Sequence, residues 1–139
     1  MNLSPVAARL RTEEGYSSTP YKDSKGIWTI GYGTNISTIS RDEAEWLLQH
    51  RLSLAADAVL ASMPWAEALD DVRLGVLVDM AYNMGIVVLL QFRNTLAAVQ
   101  RGDWQAAHDG MLASQWHKDV GIRAERLADM MLKGTSETA

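Results

Sequence analysis

The chain has no cysteine among its 139 residues. Neither a disulfide framework nor a thiolate zinc site can hold it together, and the redox compartment is left open. Long hydrophobic runs are missing too: the longest charge-free apolar stretch, Met80 to Phe92, covers 13 residues and includes Asn83 and Gly85. A bilayer-spanning helix needs ~20. Between Met1 and Gly15, where an export signal would carry an apolar segment, the sequence has Arg9, Arg11, Glu13 and Glu14. These absences predict a soluble chain that begins in the cytoplasm, without stable membrane insertion.

Positive charge is also short. Thirteen Lys and Arg face seventeen Asp and Glu, for a formal charge of −4. The deficit is spread, with six basic against seven acidic residues over 1–60 and seven against ten over 61–139. Nucleic-acid binding draws most of its affinity from Lys and Arg on phosphates, so no nucleic-acid partner is expected. His50, His108 and His117 lack the His-Glu-x-x-His spacing and fall on different predicted elements. No metal and no cofactor are expected.

What is present is ordinary globular material: 47% apolar and 22% charged residues, without repeats or low-complexity stretches. That is enough apolar surface for one domain to bury a core unaided. Ser4 before Pro5 reads as an N-cap followed by proline at the first helical position, so a short helix is predicted from Ser4 to about Gly15. Residues 16–36 then turn β-prone through Tyr21, Ile27, Trp28, Thr29, Ile30 and Tyr32, around the turn Asp23-Ser24-Lys25-Gly26. A small antiparallel hairpin or sheet is expected there.

Ser40-Arg41-Asp42-Glu43 is a capping box, and Ala44, Leu48, Leu52, Ala55 and Val59 follow at helical spacing. They predict a long helix over about 40–61, ended by Met63-Pro64. A further helix holding Val72, Val76, Asp79 and Met80 should stop near Asn83 to Gly85. Three more are predicted, Phe92 to Gln100, Asp103 to Ala113 and Asp119 to Lys133, with Gly102 as a C′ residue, Asp103 as an N-cap, and a frayed tail from Gly134 to Ala139. The five tryptophans are expected mostly in the core. The fold class is α+β: a small lobe over about 14–45 with a short sheet, and a larger helical lobe over about 60–133 that takes in the N-terminal helix. The long helix should join them beside a cleft.

Glu14 at a helix end, Asp23 in the turn and Thr29 on the next strand could converge on one wall of such a cleft. Two carboxylates there suit glycoside hydrolysis, one group protonating the leaving oxygen while the other serves the opposite face. A threonine hydroxyl can help hold the attacking water. The bland alternative is that Glu13 and Glu14 are solvated helix-end charges and Asp23 an ordinary turn residue. A general acid at Glu14 should be partly buried or close to negative charge, so that it holds its proton near neutral pH.

The run Thr12-Glu13-Glu14-Gly15, Tyr21-Lys22-Asp23 and Gly26-Ile27-Trp28-Thr29-Ile30-Gly31-Tyr32-Gly33 resembles the phage-type lysozymes of glycoside hydrolase family 24. Their spacing, Glu then eight residues, Asp then five residues, Thr, is matched at Glu14, Asp23 and Thr29. Tyr82-Asn83-Met84-Gly85, Phe92 to Leu96, Gly102-Asp103-Trp104, Trp116 and Arg123 to Arg126 are similar to the family's C-terminal lobe. Ser62 to Asp71 is the vaguest part of the match.

The resemblance implies a single lysozyme-like catalytic domain over 1–139. Its implied reaction is hydrolysis, with inversion, of the β-1,4 bond between N-acetylmuramic acid and N-acetylglucosamine in peptidoglycan. The implied catalytic residues are Glu14, Asp23 and Thr29; Arg123, Tyr32, Asn35 and Tyr82 would bind substrate or orient the acid, with Arg123 approaching Glu14. As a phage endolysin, the protein would act as a monomer on glycan strands after a separate factor opens the membrane. Two departures stand out. Only six residues, Thr34 to Ile39, separate Gly33 from Ser40, fewer than in T-even members, and the charge of −4 contrasts with their basic character. Two rivals share the fold: a lytic transglycosylase, which needs a single acid, and an inactive wall-binding module.

Overall fold

A computed structural model describes residues 1–135. The chain divides into two compact units, Met1–Leu47 and Leu48 onward. The first unit opens with α1, Ser4–Glu14. Ser4 is its first helical residue rather than its cap, because the Asn2 side-chain oxygen accepts the Ser4 N–H at 3.0 Å and lets the helix start one residue earlier. Gly15, at φ +69°, ends it. Contacts place α1 in the first unit, whereas the sequence reading allots it to the helical lobe.

Three antiparallel strands follow in the order β1 (Ser17–Lys22), β2 (Trp28–Gly31) and β3 (Thr34–Asn35). Tyr21 pairs with Thr29, Lys22 with Trp28, and Thr29 in turn with Asn35. The β1 register shifts between Ser17 and Tyr21, the stretch holding Pro20, which has no N–H to give the ladder. A 3₁₀ turn at Ile36–Thr38 then leads to α2, Arg41–Ser62. The capping box closes as expected. Glu43 N–H donates to Ser40 Oγ at 3.1 Å, and Ser40 N–H donates to Glu43 Oε2 at 2.7 Å. These bonds hold the Glu43 carboxyl below the usual carboxylate range.

In the second unit α2 gives way at Met63 to a 3₁₀ turn, Pro64–Ala68, and then to α3 (Asp71–Met84) and α4 (Ile86–Leu89). Next come α5 (Arg93–Gln100), α6 (Trp104–Leu112), α7 (Gln115–Val120) and α8 (Ile122–Lys133). α4 is absent from the sequence reading, because Gly85 at φ +87° ends α3 and hides a four-residue turn behind it. The single helix expected over 119–133 is in fact two. Gly121, at φ +59°, breaks it, and Asp119 belongs to α7, capped by Ser114, which accepts the His117 N–H at 3.2 Å. Gly102 and Asp103 behave as predicted, Asp103 accepting the Ala106 N–H. Gly134 caps α8 in the left-handed conformation; the rest of the expected frayed tail lies, from residue 136, outside the described residues.

The core of this unit is built from Val59, Val76, Leu77, Met80, Leu89, Val99, Met111 and Met131, all essentially inaccessible. Arg73 ties it shut. Its guanidinium donates to the carbonyls of Met131 (2.7 Å) and Leu132 (2.9 Å), pairs with Asp70, and lies 3.9 Å from the Trp104 ring centroid. Of the tryptophans, Trp116 is buried, Trp65 and Trp104 pack against the core, and Trp28 and Trp46 are exposed. Among the described residues no helix is long and apolar enough to cross a membrane.

Candidate active site

The sheet of the first unit gathers the three residues of the Glu-Asp-Thr spacing on neighbouring segments. Asp23 begins the turn: its Oδ1 accepts the N–H groups of Lys25 (2.8 Å) and Ile27 (2.9 Å), and its own N–H donates to the Ile27 carbonyl (3.0 Å). One carboxylate oxygen is thereby fixed, leaving Oδ2 for other work. Thr29 is 4% exposed. Its hydroxyl donates to the same Ile27 carbonyl at 2.9 Å. The backbone of Ile27, through its N–H and its carbonyl, therefore ties the Asp23 carboxylate and the Thr29 hydroxyl to one frame. With its proton committed to Ile27, the Thr29 oxygen is left as an acceptor.

Glu14 sits at the last position of α1 with its carboxyl against Gly33, in the turn between β2 and β3. A Cβ on Gly33 would come within 2.7 Å of Glu14 Cδ and still closer to Oε2. Gly33 also has φ +73°, a region that L side chains rarely adopt. Glycine is thus required here twice, for the backbone and for the acid. Of the two conditions expected of a general acid at Glu14, partial burial or nearby negative charge, the first is not met: its side chain is exposed, on a helix with no buried residue. Neighbouring Glu13 is exposed as well and lies 3.9 Å from Arg9.

The other predicted residues divide between the units. Tyr32 is exposed and its ring centroid lies 5.3 Å from that of Tyr16. Asn35 is occupied structurally, its side-chain oxygen accepting the Ser37 N–H at the start of the 3₁₀ turn. Arg123 and Tyr82 belong to the second unit, where they line one hollow of about 520 Å³ with Leu52, Val78 and Asp79. The Arg123 guanidinium donates to Asp79 at 2.7 Å. Asp79 is a partner that no local pattern announces, since 44 residues separate the two. Gly33 was similarly hidden, as its role depends on a side chain from another segment. Among the described residues no cluster of three His, Asp or Glu could hold a metal ion.

The sequence profile of the phage lysozymes matches residues 11–131. The chain belongs to the phage lysozyme family. It is 23% identical, over 96% of both chains, to each of two proteins of Dictyostelium discoideum described as probable T4-type lysozymes 1 and 2. It is 26% identical to the pre-baseplate central spike protein Gp5 of Enterobacteria phage T4, over 96% of this chain but 28% of that protein. The small antiparallel sheet followed by a helical unit is the α+β lysozyme fold. As a T4-like phage lysozyme, the chain is a lysozyme-like peptidoglycan hydrolase and hence a glycosidase.

Proposed function

We propose that this lysozyme is an inverting muramidase that cleaves the β-1,4 bond between N-acetylmuramic acid and N-acetylglucosamine. The supporting observation is the shared Ile27 frame, which suits Asp23 and Thr29 to act on one water. Protonated Glu14 gives its proton to the leaving glycosidic oxygen. On the opposite face of the sugar a water attacks C1, losing its proton to Asp23 Oδ2, while the Thr29 oxygen accepts its second hydrogen. Arg123 is the cation that the family resemblance assigns to orienting the acid.

The biological reading follows from the same resemblance: an endolysin that accumulates in the host cytoplasm and reaches peptidoglycan once a separate factor has permeabilised the membrane. Mass spectrometry of products from purified peptidoglycan tests the chemistry. Reducing N-acetylmuramic acid ends are expected. Predominant 1,6-anhydro ends would establish a lytic transglycosylase instead, and an absence of any cleavage would leave a wall-binding module. Proton NMR of the first-formed anomer reads inversion directly.

A further inference from the structure

We propose that Tyr16 and Tyr32 form a sugar-stacking platform beside the acid, a subsite for an N-acetylated pyranose ring. The inference rests on the muramidase reading and adds a residue, Tyr16, that neither the Glu-Asp-Thr spacing nor the family resemblance assigned. Tyr16 is 69% exposed and Tyr32 50% exposed, yet their rings meet at 5.3 Å between centroids with a 50° tilt. Two large rings held together and left open to solvent form a preordered apolar face, which a core-packing role does not require.

The placement connects them to the chemistry. Tyr16 lies two residues beyond Glu14, and Tyr32 immediately precedes Gly33, the glycine against which the Glu14 carboxyl rests. The same two chain segments therefore carry the acid and the ring pair. Among the described residues neither phenol hydroxyl has a hydrogen-bond partner within the protein, so both can serve the hydroxyl and acetamido groups of a sugar. The axial C–H groups of a pyranose offer the partly positive edge that an aromatic face attracts.

Trp28 provides an internal control. It is likewise 50% exposed, but it is covered by a different partner, the Lys22 ammonium 5.3 Å from its ring, and has no part in the tyrosine pair.

The test measures binding of a peptide-free tetrasaccharide of two N-acetylglucosamine–N-acetylmuramic acid repeats by calorimetry in a Glu14→Gln background, alongside turnover of the active enzyme. Tyr16→Ala and Tyr32→Ala should each weaken binding and raise KM by about tenfold, the size of one good ring contact. Little change in kcat or Tm is expected. Tyr16→Phe should keep most of the affinity, and Trp28→Ala should bind as the parent does. The platform is overturned if both alanine variants bind the tetrasaccharide normally, or if Tm falls while KM stays fixed, which marks a packing contact. Were the wild-type chain to release no reducing ends while binding remained tyrosine-dependent, the muramidase reading would fall and the platform would stand.

Discussion

The two units divide the work of the molecule unevenly. In the first, Met1–Leu47, one side chain is buried, that of Thr29; every buried apolar side chain among the described residues belongs to the second. The first unit is shaped by hydrogen-bonded turns and by glycines at positive φ, such as Gly26 and Gly33. The second is shaped by apolar burial around Leu77, Met80, Met111 and Met131. Residues kept at the surface of a thin sheet can meet a bulky glycan, whereas residues inside a close-packed core cannot. Chemistry and stability should therefore respond to different substitutions.

The largest expected effect breaks chemistry alone. Glu14→Gln keeps the shape of the side chain but removes its transferable proton, so lysis should fall by at least ~10²-fold, the low end for acid catalysis. Tm should stay level or rise slightly, since the exposed carboxyl contributes no core packing. Glu13→Gln, one position earlier and paired with exposed Arg9, should leave lysis nearly intact. Turbidity clearing of permeabilised Gram-negative cells measures both variants. Retained lysis in the first, or lost lysis in a folded second, would remove Glu14 from its role.

The converse effect belongs to the second unit. Leu77 is 1% exposed in the middle of α3, and Leu77→Ala should cost about 2–5 kcal/mol through lost burial and the cavity left behind. Below its lowered Tm the folded fraction should cleave with wild-type KM. A changed KM at full folding would show that the division between the units is less sharp than their burial suggests. Urea titration followed by tryptophan fluorescence gives the stability, and reducing-end release gives the KM.

That division also explains what could be read from the sequence. The capping box of Ser40 and Glu43, the turn at Asp23 and the Glu-Asp-Thr spacing are local, each complete within a few residues or one hairpin, and all were legible. Contacts between distant segments were not. Arg73 reaches the carbonyls of Met131 and Leu132 across nearly sixty residues of sequence. Arg123 meets Asp79, and Gly33 makes room for Glu14, through the fold rather than through any motif. The break at Gly121 was missed for another reason: a lone glycine within a helical pattern is tolerated more often than it stops a helix, and the competing start at Ser114 had no acidic residue to complete a capping box.

The smallest effect sharpens the comparison through pH. All three histidines fall in the second unit, and His117 joins α7 to its neighbours: Nδ1 lies 2.8 Å from the Leu112 carbonyl and Nε2 3.2 Å from Glu125 Oε1. A carbonyl only accepts, so Nδ1 carries a proton, and the bond to Glu125 has its full strength when Nε2 carries one too. The Glu125 hydrogen bond first, and the Leu112 carbonyl second, raise the His117 pKa above its ordinary value. A raised folded-state pKa means that the protonated ring stabilises the fold in full below the unfolded value of about 6.5, and that this share is lost as pH rises through the folded value. The neutral ring keeps Leu112 and gives up the charge-assisted contact with Glu125. The Tm difference between wild type and His117→Gln should therefore be largest near pH 5 and shrink toward pH 8, and Glu125→Gln should flatten the wild-type profile in the same way. Far below Tm, the pH profile of glycan cleavage should be unaltered in His117→Gln, because the proposed acid and base, Glu14 and Asp23, belong to the first unit. A Tm gap that stays constant from pH 5 to 8 would deny the ion pair its role, and a shifted cleavage profile would couple the two units through this histidine.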